Sequence, residues 1–461
     1  MLQNYKNLHK CVQFCALNKL ISRFVFYIGT EMRIFCLKNC FIHGNFLYLQ
    51  PDFVNHSMKS KLEIKTVGTR KDLGRFIDFY YDLYRGNQYA IPYMRFDEVN
   101  TLRKDKNPSF EFCEAEYYLA MRDGKVVGRV AAIINHRANE EWKKKQVRFG
   151  WFDFVDDVEV SQALLGQVEA FGRSRGMTEM VGPLGFTDMD REGMMIEGFD
   201  RLSTAYVIYN HPYYPQHIEK IGGFEKDNDW MEYRIKVPEV TPEKFAKTAQ
   251  MIERRYNLCA HQFTSDELLK EEMGRKVFDI LNETYKDLYD FQRLSERQID
   301  QLVNDYIKKA DLNLVTAIID RNFALDGNDD AALTEAERHE YATLGGKMVG
   351  FGISFPSFAK ALQKTRNGKL FPFGWWHMLK VLKWHKTDTV DLLLIGVLPE
   401  YRTKGANALI FSELIERYRQ YGFKWAEAMP QMEANTKMRN QWQYLDAEIH
   451  RRRRCFKKKL C

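Results

Sequence analysis

From residue 58 onward, apolar and polar positions trace the same course twice. In the first pass, Tyr117–Ala120 runs into Asp123-Gly124-Lys125-Val126-Val127-Gly128 and on to Arg129–Ile134. The β-branched and aromatic residues on both arms of a glycine turn predict a β-hairpin. In the second pass, Tyr341–Leu344 runs through Gly345-Gly346-Lys347-Met348-Val349-Gly350 into Phe351–Phe355, which predicts a second hairpin. Each is followed by a strand, an amphipathic helix, a glycine and a further strand that stops at proline. These are Phe149–Phe154, Glu159–Arg175, Gly176 and Thr178–Pro183, then Val390–Val397, Ala406–Tyr421, Gly422 and Lys424–Pro430. The glycines and prolines keep register between the passes to within one residue. The pattern therefore predicts two copies of one unit, an α/β fold with a mixed sheet in two lobes.

Pro238–Pro242 reads as a linker, and Glu243–Tyr256 and Glu271–Asp287 as helices opening the second copy. This divides the chain into an N-terminal lobe, 58–237, and a C-terminal lobe, 238–461. The second copy has two additions, an acidic polar loop at Asn322–His339 and an aromatic segment within Pro356–Thr387. In the latter, Phe371, Phe373, Trp375, Trp376 and Trp384 alternate with Lys380, Lys383 and Lys386. That composition suits a lipid headgroup boundary or the lip of an acyl tunnel, which makes Trp375 and Trp376 substrate-contact candidates. Core packing between the copies is the other reading. Residues 1–57 keep no period, and Glu31 and Asp52 are their only acids. They are expected to be a disordered leader or upstream sequence, with Met58 the natural start.

A chain 45% hydrophobic and 28% charged is globular, and it has no 18-residue apolar run to cross a membrane as a helix. Its 8 cysteines do not make a disulfide framework, so a reducing, cytoplasmic setting is expected, with peripheral contact at the inner membrane face. Cys11/Cys15 and Cys36/Cys40 are spaced C-x3-C rather than the usual C-x2-C of zinc sites, and no metal is expected. The formal net charge of +7 equals that of Arg451–Arg454 and Lys457–Lys459 alone, so the rest of the chain is balanced. The tail reads as a final edge strand whose charges discourage edge pairing. Nucleic-acid binding through it is the rival reading.

The chemistry signal is Asp391-Leu-Leu-Leu-Ile395-Gly396-Val397-Leu398-Pro399-Glu400-Tyr401-Arg402-Thr403-Lys404-Gly405-Ala406-Asn407. An apolar strand is ended by Pro399, and a helix begins near Gly405. The N–H groups of Arg402–Asn407 then face outward from a positive helix end, with Arg402 and Lys404 beside them, an arrangement that binds pyrophosphate. An ordinary strand-to-helix turn with solvated bases is the alternative.

This element resembles the V-x-P-x-x-[RQ]-x-x-G-x-[GA] motif of the GNAT superfamily of acyl-CoA N-acyltransferases. Val397, Pro399, Arg402 and Gly405 match, and Asn407 departs from the last position. The resemblance implies acyl-CoA as co-substrate, lying along Ile395–Val397 with its pyrophosphate on Arg402, Thr403, Lys404, Gly405, Ala406 and Asn407. It also places Asn435 against the pantetheine arm. In the first copy the equivalent turn, Val155-Asp156-Asp157-Val158-Glu159, holds three carboxylates that would repel pyrophosphate, so that lobe is expected to be structural or acceptor-binding.

Over most of residues 62–460 the chain is similar to a two-lobed GNAT-like family that includes the bacterial ceramide synthases. The resemblance rests on Gly128–Asn135, Gly150–Phe154, Gly182–Phe186, Ile196–Asp200 and Tyr209–Tyr214. It implies tandem GNAT-like folds and acyl transfer to an amine, a sphingoid base in the ceramide synthases. A general N-acetyltransferase acting on a small-molecule or protein amine is one alternative, and a non-catalytic paired module is another. Amine acylation needs a base, an acid for the thiolate and an oxyanion donor. Candidate bases are Glu427, Asp391 and Glu433; Tyr444 is the candidate acid; an N–H near Ile395–Val397 would meet the oxyanion. His211, beside an aromatic cluster, is a candidate for acceptor binding.

Overall fold

The computed structural model describes residues 60–305, 307–324 and 333–460. The leader, its cysteine pairs and the middle of the Asn322–His339 loop lie outside the described residues. Strand β1 (Glu63–Thr66) pairs antiparallel with β2 (Cys113–Arg122), which turns into β3 (Lys125–Asn135). Asp123 and Gly124 make that turn, both at positive φ (50° and 72°), the two-residue geometry that matches strand twist. β4 (Gln146–Phe154) adds antiparallel, and the helix Val158–Ser174 crosses over to a parallel β5 (Glu179–Gly182). β6 (Met194–Glu197) and β7 (Glu225–Lys236) complete the first half.

The second half repeats the plan. β8 (Leu258–His261), β9 (Val315–Asp320), β10 (Lys347–Pro356) and β11 (Thr389–Val397) are antiparallel neighbours. The helix Asn407–Gln420 then leads to a parallel β12 (Trp425–Ala428), followed by β13 (Gln431–Met432) and β14 (Ala447–Lys459). The mixed α/β architecture in two lobes is the one expected. Both crossover helices are amphipathic: Leu164, Val168 and Phe171 are buried on one, and Ile410, Phe411 and Leu414 on the other. Burying each such side chain contributes about 1.5–3 kcal/mol.

The halves exchange their last strands. One sheet runs β1-β2-β3-β4-β5-β14-β7-β12-β11-β10-β9-β8, so β14 closes the first lobe and β7 the second. β6 pairs with β14 and β13 with β7, which completes a pseudo-twofold relation about the antiparallel β7–β14 pair.

Two expectations are corrected here. The basic tail is a central strand, not an edge: Arg451 and Arg453 are buried and both pair with Glu232. Arg454 pairs with Asp229 at 2.8 Å and Lys458 with Glu169 at 2.7 Å. Buried charge persists only where it is partnered, and acids on the neighbouring elements supply the partners. The residues before Gly345 are also not a hairpin arm. Glu335–Leu344 is a helix, started by a Thr334–Glu337 capping box and stopped by Gly345 at φ 68°, and β10 pairs with β9 instead.

Candidate functional site

β11 and β12 pair as far as Leu392 and Ala428 and then part. The register of β11 against β10 slips at this point: Ser354 faces Leu392, Ile353 faces Leu394, and Leu393 is left over as a bulge. The irregularity falls upstream of the Ile395–Val397 stretch where the oxyanion donor was expected. Beyond it, Leu393–Ile395 on one side and Met429–Met432 on the other border a largely apolar cavity of about 410 Å³. The cavity passes through the gap between the strands. Ile410, Phe411 and Leu414 line it on the face of the Asn407–Gln420 helix, Phe278 and Tyr285 on the opposite face. Ile395 and Asn435 are both in its wall.

At the C-terminal end of β11, Gly405 takes φ 80°, a conformation costly for any residue with a Cβ, and the helix begins at Asn407. Ala406 stands at its N-cap, and no side chain among the described residues caps it. The N–H groups of Lys404, Gly405 and Ala408 are bonded to the carbonyls of Tyr401, Arg402 and Gly405, so what the turn offers an anion is the positive end of an uncapped helix. Thr403 is exposed, and Lys404 rests over the Tyr401 ring at 4.2 Å. Arg402 is exposed, yet its guanidinium is engaged: Nε donates to Val397 O (2.8 Å) and Nη2 to Thr284 O (2.9 Å), so it braces the turn against the neighbouring helix. Asn407 donates to Gln441 Oε1 at 2.8 Å. Of the side chains expected to hold a pyrophosphate, Arg402 and Asn407 are thus bonded within the protein, and the uncapped helix end and Lys404 are the positive groups at this turn.

Asp391 and Glu427 stand side by side on the parallel strands, on the face opposite that helix. Asp391 is wholly buried, and neither of its oxygens completes a hydrogen bond among the described residues. Burial and the adjacent Glu427 push its carboxyl up to about 8, while the nearby Ser357 hydroxyl, not aligned for a full bond, and Arg451 pull it back. Glu427 Oε2 lies 2.8 Å from His450 Nε2, at ion-pair distance but not aligned as a hydrogen bond, and accepts from Arg451 at 3.3 Å. Neither acid is among the described residues that line the large cavity. Glu427 borders a small cleft of about 60 Å³ with His450 and Ser357.

Other residues singled out from sequence are dispersed. Tyr444 is exposed under Lys244 (3.5 Å), while Trp442 occupies the cavity wall and donates to Gln431 at 2.9 Å. Glu433 pairs with Lys226. His211 is stacked between Tyr84 (4.8 Å) and Tyr213 (5.2 Å), and burial lowers its pKa. Trp375 and Trp376 are exposed on the helix Gly374–Trp384, edge to face at 5.7 Å, and outside the cavity lining.

Sequence reasoning missed the acids that do reach the cavity. Asp188, Asp190 and Glu192, from the loop between β5 and β6 of the first lobe, line its end on the Tyr285 side. Burial raises the pKa of all three. Three carboxylates alternating through Asp188-Met189-Asp190-Arg191-Glu192, between two apolar strands, were the available signal.

No protein-family model matches the chain. It is 26% identical over 403 residues to Protein YghO of Escherichia coli, covering 86% of this chain and 95% of that one. It is 23% identical over 354 residues to the Bacterial ceramide synthase of Caulobacter vibrioides, covering 75% and 83%. Its structural neighbours are GNAT acetyltransferases. They include a tandem GNAT protein from the clavulanic acid biosynthesis pathway (TM-score 0.49, 12% identity, 87% of this chain and 99% of that one). A GCN5-related N-acetyltransferase from Sphaerobacter thermophilus is another (TM-score 0.43, 11% identity, 87% and 96%).

Proposed function

We propose that the protein is a GNAT-type N-acyltransferase that moves an acyl group from acyl-CoA to the amine of a long-chain, sphingoid-type acceptor. The observation that carries this reading is the parting of β11 and β12 at a bulge, with an open helix N-terminus at one end and an apolar passage through the sheet. In this reading the pyrophosphate rests on the turn Thr403–Asn407, the pantetheine arm follows Ile395 and Val397 past Asn435, and the thioester reaches the bulge. A backbone N–H near the bulge would meet the oxyanion. In this reading the largely apolar walls surround the acyl chain while the amine approaches from the other face.

A lipid acceptor is supported by the likeness to a protein named as a bacterial ceramide synthase and by the exposed aromatic helix. Phe371 and Phe373 are 77% and 74% exposed, and Lys380 lies 5.2 Å from the Trp376 ring, which suits peripheral contact with an anionic membrane surface. No helix among the described residues is long and apolar enough to cross a membrane. The test is purified protein with palmitoyl-CoA and a panel of amines, following free thiol and amide by mass spectrometry. Thiol released in step with a long-chain amide is the expected result. Turnover with short or protein amines alone would favour a general N-acetyltransferase, and the absence of thiol release with every amine would favour a binding module.

A further inference from the structure

The loop after β5 carries three carboxyls to the cavity, but they are not equivalent. Asp190 Oδ2 accepts from the backbone N–H of Phe186 (2.9 Å) and Thr187 (3.1 Å), so it shapes its own loop. Asp188 Oδ1 and Glu192 Oε1 are closed off from solvent and have no hydrogen-bond partner among the described residues. The one guanidinium that offsets them, Arg148, is already engaged: it donates to Asp290 at 2.8 Å and to the carbonyls of Gly185 and Phe186 at 3.3 Å. Leaving two buried carboxyl oxygens unpaired costs stability. Such an arrangement persists where a ligand completes it, and here both residues line an apolar cavity.

We propose that Asp188 and Glu192 of the first lobe receive the protonated amine of the acceptor in the second lobe's cavity, and that Glu192 takes its proton. The proposal rests on the acyl-transfer reading and deepens it by assigning the acceptor's charged end and the base. Phe278, Leu288, Leu302 and Ile307 on the same face give the acceptor's hydrocarbon chain an apolar wall. A neutral alcohol of equal length brings one donor and no charge, so it pairs the two carboxyls less fully and is disfavoured.

The step balances as follows. The ammonium gives one proton to the Glu192 carboxylate, and the freed nitrogen lone pair attacks the thioester carbonyl. That attack forms the C–N bond and an oxyanion, and collapse restores the carbonyl and breaks C–S; the second nitrogen proton goes to the departing thiolate, and Glu192 returns its own to solvent. Glu192 is suited to this because burial, Asp290, Asp188 and Asp190 all raise its pKa, against Arg148, which lowers it. Asp188 is raised by burial and Asp290, and held by the backbone N–H groups of Asp188 and Gln292. It is the fixed partner of the pair.

The experiment compares binding of dodecylamine and dodecanol, below their aggregation concentrations, to wild type, Glu192→Gln and Asp188→Asn by calorimetry, with palmitoyl-CoA binding and melting curves as controls. Wild type is expected to prefer the amine at least tenfold. Each variant should lose that preference while keeping its affinity for alcohol and palmitoyl-CoA; if Glu192→Gln fails to fold, Asp188→Asn carries the comparison. Wild type without amine preference, or folded variants that retain it, overturn the proposal. Amine-selective binding without thiol release sinks the transferase reading and leaves this site standing. Acylation at the wild-type rate by Glu192→Gln sinks the base and leaves the transferase.

Discussion

The two lobes build the same strand-to-helix turn and finish it in opposite ways. In the first lobe the helix end is filled by its own side chains. Asp157 accepts from the Glu159 N–H at 3.1 Å, Arg122 ties Asp157 and Glu159 together at 2.7 Å, and Asp156 meets His217 at 2.9 Å. The gap between the parallel strands is closed as well: Leu184 donates to Phe149 O at 2.9 Å, and a Cβ on Gly150 would come within 2.4 Å of Leu184 O. In the second lobe the corresponding helix has Ala406 at its cap and Gly405 before it, and the strands part around a cavity. A few side chains therefore decide whether one backbone turn is filled and closed or left uncapped beside a cavity. The first lobe also contributes to the cavity, since its loop lends Asp188 and Glu192.

The sharpest way to break this comparison is to test whether the lobes are separable at all. Deleting residues 447–461 removes β14 from both, and loss of cooperative melting by circular dichroism is expected; a truncated protein that still melts cooperatively would mean that the exchange is dispensable. Next in size, Gly405→Val should lower palmitoyl-CoA affinity at least tenfold by calorimetry, because the turn needs its positive φ. The matched first-lobe change, Asp157→Ala, should leave that affinity untouched and cost about 1 kcal/mol in denaturant melts, the usual worth of an N-cap.

A pH series gives a third contrast. Asp391 holds its proton to about 8 in the folded chain and only to about 3.8 when exposed. The unfolded state therefore releases that proton first, and this residue's contribution to stability falls as pH rises from about 4 to about 8. Asp391→Asn should flatten that part of the melting-temperature profile; an unchanged slope would assign the effect to Asp188 and Glu192, whose raised pKa values act in the same direction. The smallest effect is expected at the aromatic helix. Trp375→Ala with Trp376→Ala should weaken co-sedimentation with anionic vesicles and leave palmitoyl-CoA binding unchanged.

Much of the fold was legible because its signals are local. Asp123-Gly124 predicted its hairpin, and the helix Glu243–Tyr256 was read to its ends. Local signals also misled: Tyr341–Leu344 has strand-like side chains, but the Thr334–Glu337 box four to seven residues upstream commits the segment to a helix. The tail was misread for a different reason. Arg451 and Arg453 look solvated until Glu232, more than two hundred residues earlier, is placed beside them. At the site, Ile395 and Asn435 were found through their motif and do line the cavity. Tyr444 is exposed and Trp442, two positions earlier, lines the cavity, while the Asp188–Glu192 acids were overlooked because the cavity they line is formed by distant parts of the chain.

The strand exchange also sets an order of events during synthesis. When the ribosome has made the first lobe, β5 has no neighbour on its inner side, and the strand that will lie there is still untranslated. The Glu169–Lys458 ion pair spans 289 residues. Until that distance is covered, β5 and β7 present bare backbone edges able to pair with the wrong partner. Contacts of such high sequence separation form late and slowly. A nascent chain of this protein should therefore need shelter for nearly the whole of its translation, and should acquire both lobes together at the end.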